Sequence, residues 1–250
     1  KKTLFLAFLL KIFGFSFIYH NHMVSKNKLQ KYIVSFLCRF SNKTLCVSNV
    51  VKSDICHSKS VLIYNYFNHD LLAKVKSLKC RDNYNVFFVG SLIYDKGFDI
   101  YLKVAEHFSF SDKFRFFVCG QGPLDYLLKE YAFDNLINLG FVENVPSLLK
   151  DRCDLLLFPS KISEACPLAP IEAMSLGIPV ITTNFSGQLE IVGNNLRCLS
   201  VNRNNYSEII SQIEHVFYNG YENFSEQALS RAKDFDYQIF EQKLIEVFNG

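Results

Sequence analysis

The sequence predicts an α/β fold built on parallel strands, and two observations carry that prediction. From position 86 onward short apolar runs alternate with helical patterns of about ten residues. The runs, such as VFFVG (86–90) and DLLLFPS (154–160), are apolar throughout instead of alternating, as strands covered on both faces should be.

Each element follows in order. The stretch LFLAFLLKIFGFSFIYHNHM (4–23) imitates a signal peptide, with Lys1 and Lys2 in front, but Lys11 interrupts it and no small-x-small cleavage site follows. Its apolar part, 4–18, falls short of the roughly 20 residues needed to span a bilayer. It reads as a buried helix ending near Gly14, then a strand at 15–19. A chain that opens with Lys and enters a core helix directly is expected to be a fragment. An amphipathic helix at 28–40 precedes strands at 44–48 and 60–65, and a polar linker occupies 76–85. Further strands are expected at 86–90, 114–120, 137–140, 154–160 and 179–184, with helices at 98–108, 124–132, 168–176, 205–218, 222–233 and 237–248.

With 250 residues, 49% of them hydrophobic, the chain can bury a large core. Its eight cysteines (38, 46, 56, 80, 119, 153, 166, 198) stand singly, without a C-x-x-C pair, which points to neither a disulfide framework nor a zinc site. Reduced thiols and a cytoplasmic location are expected. Charge is divided: residues 1–85 carry 14 basic and 3 acidic residues, net +11, whereas 86–250 carry 13 and 21, net −8. Such a basic front suits nucleic acid, an anionic membrane face or a phosphorylated acceptor, and equally a solvated basic surface.

In parallel sheets ligands bind beyond the carboxyl ends of the strands. Residues of unusual chemistry gather there: Gly90 and Ser91 with Lys96 and Gly97, then Gly120-Gln121-Gly122, Pro159 through Pro167, and Asn184 through Gly187. The glycines admit a ligand to the backbone, helix N-termini offer N–H groups to phosphate, and Lys96 adds a point charge for a diphosphate. Gly120-Gln121-Gly122 alone lacks the later glycine of the dinucleotide fingerprint and also suits an ordinary turn. Glu164 and Glu172 are eight positions apart, with Pro167 and Pro170 marking a helix entry between them. A carboxylate accepts two hydrogen bonds at once, which suits paired sugar hydroxyls; the plainer alternatives are a helix-start charge for Glu172 and a solvated acid for Glu164. Asp234-Phe235-Asp236 has a D-x-D form that could hold a cation, but Asp236 is better placed as the cap of helix 237–248, so no metal is expected. His107 and His215 read as structural.

The segments FVGSLIYDKGFDIYL, FVCGQGP, NLGFV, PSKISEACPLAPIEAMSLGIPVI and SGQLEIV, in that order, resemble the donor-binding domain of the retaining group 1 glycosyltransferases, family four, of the GT-B fold. Upstream, FIYHNHM, TLCVSNVVKSDI and VLIYNYFNHD resemble the closing part of the family's acceptor-side domain. The resemblance implies that 1–80 is the end of a truncated acceptor-side Rossmann-like domain, 86–235 the Rossmann-like donor domain, and 236–250 a helix packing back toward the first. It implies transfer of a sugar, with retention, from a UDP-, GDP- or similar nucleotide sugar to a glycan or lipid-linked acceptor. The setting would be surface polysaccharide biosynthesis in the cytoplasm, at the inner face of the membrane, with residues 1–85 touching anionic lipid and no nucleic acid involved. His20, Lys96 and Glu164 would be catalytic, and Gly90, Ser91, Gly120, Gly122, Cys166, Pro167, Leu168 and Glu172 would bind substrate, with His22 a possible substitute for His20. No cofactor or metal is implied.

Three departures stand out. Ser91 replaces a common arginine, Ala165 and Pro167 replace glycines, and the family's opening βα units with their glycine-rich loop are absent, so unaided turnover is not expected. The alternatives are a nucleotide-sugar epimerase of similar architecture and a non-catalytic, truncated binding module; a phosphorylase would need a pyridoxal-binding lysine in a context not seen here.

Overall fold

The structure is a computed structural model that describes residue 11 and residues 16–25, 27–55, 59–67 and 83–249. Apart from Lys11, the expected helix ending near Gly14 lies outside the described residues, as do most of the linker at 76–85, Cys56 and Cys80.

Two parallel sheets organise the chain. The smaller has the order β1 (Ile18–Asn21), β2 (Lys43–Cys46), β3 (Ser60–Leu62), with Tyr19 opposite Thr44 and Thr44 opposite Ser60. Helices α1 (Lys28–Cys38) and α2 (Asn49–Ile55) make its crossovers. The larger sheet has six strands, β4 (Tyr84–Val89), β5 (Phe114–Cys119), β6 (Leu136–Gly140), β7 (Leu155–Phe158), β8 (Val180–Thr183) and β9 (Ser200–Val201), in the order β6-β5-β4-β7-β8-β9. From β4 the chain builds outward to β6, then returns to β7 on the other side of β4. Crossovers on the two sides must therefore lie on opposite faces, and a crevice opens beyond the carboxyl ends of β4 and β7. The intervening helices are α3 (Phe98–His107), α4 (Leu127–Glu130), α5 (Val145–Arg152), α6 (Leu168–Ser175) and α7 (Ser186–Val192), followed by α8 (Tyr206–Tyr218), α9 (Tyr221–Ala232) and α10 (Tyr237–Asn249).

Aromatic packing holds the large sheet. Phe87 stacks on Phe117 with centroids 4.7 Å apart, and Phe88 meets both Phe98 and Tyr101 of α3 at 5.3 Å. The fully buried Tyr101 places its hydroxyl 2.9 Å from the carbonyl oxygens of Val86 and Phe117, and burial keeps that phenol protonated. Among the described cysteines with resolved side chains, Cys38, Cys46, Cys119, Cys153 and Cys166 are free and buried. Burial raises the thiol of Cys119 to about 11, so it packs as a small hydrophobe.

Several elements differ from the sequence-based expectation. The first strand begins at Ile18 because the Asn42 side chain accepts from Phe17 N, and only then does the ladder with β2 start. Helix 124–132 shrinks to Leu127–Glu130: Leu124 N donates to Leu92 O across the loops and Asp125 caps Gly122 N, which pulls 122–126 into turns. Helices α2, α5 and α7 and strand β9 were not anticipated. Asn144 caps α5 by accepting from Ser147 N, beside a proline in the first turn.

Several contacts among the described residues join the two sheets. Val247 of α10 packs with Leu45 and Ile63 of the small sheet, and Val247 O accepts from Lys43 Nζ at 2.9 Å. Asp236 accepts from Gln238 N at the start of α10, and Asp234 pairs with Arg231, so both acids of the D-x-D stretch are engaged. Another joint is Glu190 of α7. Its Oε1 accepts from Asn49 N at 2.6 Å, Asn49 Nδ2 at 2.9 Å and Tyr64 OH at 2.8 Å, and its Oε2 from Val50 N at 3.1 Å. One carboxylate of the large-sheet half thereby caps the start of α2 beside the small sheet, where backbone N–H groups lack intrahelical partners.

Removing that carboxylate strands several donors at a half-buried junction. Glu190→Ala should lower stability by about 2 kcal/mol and speed amide exchange in α2 and β3 while sparing β4 and β5. Hydrogen exchange read by mass spectrometry checks the pattern; uniform exchange across both sheets would contradict it.

Candidate functional site

The site is assembled by backbone approaches that side chains would prevent. Lys96 ends a short 3-10 turn, Tyr94–Lys96, that follows β4. Gly97 then takes φ 71°, in the left-handed region, and a Cβ there would stand 2.0 Å from Pro159 O. The loop after β4 is thus pressed against the loop after β7. Lys161 N donates to Asp95 O at 2.8 Å, and Lys161 Nζ bonds Asp99 at 2.6 Å.

This contact brings Lys96 to Glu164. The ammonium lies 2.7 Å from Glu164 Oε1, at a partly buried position with side chains 26% and 15% exposed, and 5.8 Å from the centroid of Phe158. Ser160 Oγ donates to the same carboxylate oxygen at 2.9 Å. On the other side of the loop Gly187 repeats the device: a Cβ would lie 1.9 Å from Glu164 O. Next to it the buried Gln188 amide accepts from Glu164 N at 3.3 Å and donates to Ile162 O at 2.6 Å. Glu164 is therefore fixed from β4, from its own loop and from α7.

Glu172 is treated differently. It lies in the second turn of α6, whose entry Pro167 caps with extended backbone. Burial raises its carboxyl pKa above the ordinary 4.5, and no described residue bonds its carboxylate. A half-buried acid without a compensating donor costs stability, and such groups concentrate where a ligand is met. Leu168, which opens α6, is 49% exposed, whereas Cys166 is buried with its thiol raised to about 12 and offers backbone alone. Its carbonyl already accepts from Asn65 Nδ2 at 2.8 Å, a bond from the small-sheet side.

Gly90, Ser91 and Gly120 converge on an open cleft of about 270 Å³ that Gln121, Phe141 and Val145 also line. Gly122 is not part of that lining; it lies against the backbone of Leu92. His20 is the next-to-last residue of β1 in the other sheet, with its ring centroid 4.0 Å from that of His22. Burial, and then the neighbouring His22, lower its pKa to about 4, so the imidazole is neutral near pH 7. Its Nε2 is buried without a hydrogen-bond partner among the described residues. Sequence reasoning singled out Glu164, Lys96 and Glu172 but passed over Ser160, Gln188, Glu190 and Asn65, whose only signal was their place beside strand ends. Among the described residues no cluster of acids, histidines and cysteines is spaced to hold a metal ion.

Comparison with known proteins bears on this arrangement. Residues 72–233 match the family model described as glycosyl transferases group 1. An uncharacterized glycosyltransferase of Methanocaldococcus jannaschii is 26% identical over 210 residues, covering 79% of this chain and 56% of its own length. The chain thus spans little more than half of that relative. The Escherichia coli UDP-Gal:alpha-D-GlcNAc-diphosphoundecaprenol alpha-1,3-galactosyltransferase is 29% identical over 156 residues, 59% of this chain and 40% of that one. Among solved structures, Anabaena HepE in complex with UDP-glucose superimposes with a TM-score of 0.84 at 19% identity, over 99% of this chain and 76% of that chain. The fold is GT-B, with Rossmann-like parallel sheets.

Two outcomes test the geometry. Gly187→Ala should cost about 2 kcal/mol in denaturant unfolding, because the new methyl meets a backbone carbonyl that must shift; an unchanged midpoint would refute the close approach. For Glu172 the pKa is raised on folding, so the stability carried by its protonated form is complete below the ordinary carboxylate range and fades as pH rises through the raised value. Glu172→Gln should therefore melt higher than wild type at neutral pH, with the difference closing in acid. Parallel melting curves across that range would show that the acid is not desolvated.

Proposed function

The chain belongs to the glycosyl transferases of group 1, and from that premise we propose that it binds a nucleotide-diphosphate sugar at the carboxyl edge of the large sheet and serves transfer of the sugar, with retention, to a glycan or lipid-linked acceptor. The observation that carries the reading is the anchored Lys96–Glu164–Ser160 cluster on the loop that leads into α6, where Glu172 is half-buried and bonded by no described residue. A ribose presents two adjacent hydroxyls, and a single carboxylate can accept from both. That bond would replace the missing compensation at Glu172.

The chemistry follows from charge. As the glycosidic bond opens, positive charge grows at the sugar carbon and negative charge on the departing diphosphate. Lys96, held by Glu164 and the backbone of its loop, supplies a cation for the leaving group, and preorganised donors of this kind contribute roughly 3–4 kcal/mol each. Glu164, fixed through Ser160 and Gln188, meets the donor sugar. His20, neutral and with an unpartnered nitrogen, is suited to a hydrogen bond with a sugar hydroxyl rather than to charge pairing. Gly90, Ser91 and Gly120 leave an open approach to the cleft, whereas the N–H groups of Gly90, Gly120 and Gly122 already donate to Cys119 O, Gly140 O and Asp125 Oδ1, and Cys166, Pro167 and Leu168 form the entry of α6. No metal or cofactor takes part in this reading.

The donor in the HepE complex and the donor in the Escherichia coli enzyme's name both carry uridine diphosphate, which favours a UDP-linked sugar here. The undecaprenol in that enzyme's name favours a lipid-linked acceptor in surface polysaccharide synthesis, with the protein on the cytoplasmic side and its basic segment 1–85 toward the membrane. Among the described residues no helix is long and apolar enough to cross a membrane.

Calorimetry with UDP- and GDP-sugars tests the reading. UDP-sugar should bind, and Lys96→Ala and Glu172→Ala should each weaken it at least about tenfold, the loss expected for one hydrogen bond involving a charged group. Absence of binding by either nucleotide, or unchanged affinity in both variants, would overturn it.

A further inference from the structure

The loop that carries Glu164 is held from two different places. Its first part is bound to the large-sheet half: Lys161 N donates to Asp95 O at 2.8 Å, Gln188 Nε2 donates to Ile162 O at 2.6 Å, and the Gln188 side chain accepts from Glu164 N at 3.3 Å. Its last part runs through Ala165 and Cys166 to Pro167, where α6 begins and where proline brings no N–H of its own. There the Cys166 carbonyl accepts from Asn65 Nδ2 at 2.8 Å, and Asn65 belongs to the segment that follows β3 of the small sheet.

Asn65 delivers that bond from a fixed position. On one side of it Ile63 N donates to Cys46 O at 2.9 Å, and on the other Phe67 N donates to Phe235 O at 3.1 Å. The hydroxyl of Tyr64 donates to Glu190 at 2.8 Å, on the same helix that supplies Gln188. A segment this short between two backbone anchors has little freedom, so the Asn65 amide acts as a stop for the loop and does not follow it.

The reach of that stop is narrow. Lys96 is set by the press of Gly97 against Pro159, at the far end of the loop. Glu172 is set by α6, whose Ile171, Ala173 and Met174 are fully buried. What depends on Cys166 O is the backbone between Glu164 and Pro167, where the N–H groups of Ala165 and Cys166 find no acceptor among the described residues. We infer that Asn65 is a positioning residue for the donor sugar: by holding Cys166 O it sets where Glu164 and these two open N–H groups stand. Asn65 then governs affinity for the sugar part of the donor and not for its uridine diphosphate. This deepens the proposed donor binding and rests on it, because the sugar is what Glu164 meets there.

Two measurements on the full chain test the inference. In calorimetry with UDP, UDP-glucose, UDP-galactose and UDP-N-acetylglucosamine, Asn65→Ala should weaken the tightest-bound UDP-sugar roughly five- to tenfold, the range of one neutral hydrogen bond, and UDP less than about twofold. Asn65→Asp, of the same shape but with an acceptor facing the carbonyl, should lose at least as much. Without nucleotide, iodoacetamide should label Cys166 faster in Asn65→Ala, read by mass spectrometry, while the buried Cys38 and Cys153 keep their wild-type rates. Equal losses for UDP and UDP-sugar, or no loss for either, would overturn the inference. So would a parallel rise in labelling at all three cysteines, which marks general loosening. A wild type that binds neither UDP nor any UDP-sugar, with Cys166 alone released in the variant, would sink the donor reading and the sugar role of Asn65 with it.

Discussion

The contacts on which the site depends are between backbones. Pro159 O lies against Gly97 and Glu164 O against Gly187, each at a distance that excludes a Cβ. Loops leaving three different strands, β4, β7 and β8, are thereby pressed into one layer at the sheet's carboxyl edge. Side-chain chemistry is laid on top of that contact: Lys96 precedes one glycine and Gln188 follows the other, so both reach Glu164 from fixed positions. Backbone contacts carry little rotamer freedom, which is why an ion pair on loops can be held as rigidly as one between helices.

Helix α7 extends the constraint across the molecule. Its first turn touches the Glu164 loop through Gly187 and Gln188, and Glu190, one turn on, caps α2 of the small sheet. Arg231 of α9 fixes the same turn from behind, donating to the carbonyls of Glu190 and Ile191, the latter at 2.8 Å, and lying 4.7 Å from the ring of Phe235. A short helix of seven residues is marginal by itself. Here it is held at both ends by bonds that belong to other elements, so motion of the small sheet and motion of the Glu164 loop are mechanically linked. Such a link lets a group bound at one sheet bias the placement of the other.

What could be read from the sequence follows burial. Strands β4, β5, β7 and β8 are covered on both faces, so VFFV, FRFFVC, LLLF and VITT announce themselves as apolar runs. The terminal helices α8, α9 and α10 were legible from their periodicity, within a residue or two at each end. Helix α7 escaped because Ser186-Gly187 argues against a helix on propensity, and glycine is there for a tertiary reason that no local pattern contains. The turn at 122–126 escaped for a like cause: Leu124 N finds its acceptor on Leu92, thirty-two residues away. Of the candidate site, Glu164, Glu172 and Lys96 could be named from motif order, whereas Ser160, Gln188 and Glu190 acquire meaning only when three loops are stacked.

The treatment of the polar groups separates the structural from the chemical. Lys96, Glu164 and Ser160 satisfy one another, so their positions are stable without assistance. Among the described residues Glu172 and His20 are not satisfied: one carboxyl is half-buried without a donor, and one imidazole is held neutral with a buried nitrogen unpaired. Each lowers the stability of the fold, and a core as aromatic as that around Phe87, Phe117 and Tyr101 is what tolerates the loss. They lie on different sheets, α6 after β7 and the end of β1, so one local packing fault does not account for both. A hydroxyl-bearing ligand would restore the missing hydrogen bond at either place, so each is where binding energy returns what folding gave up.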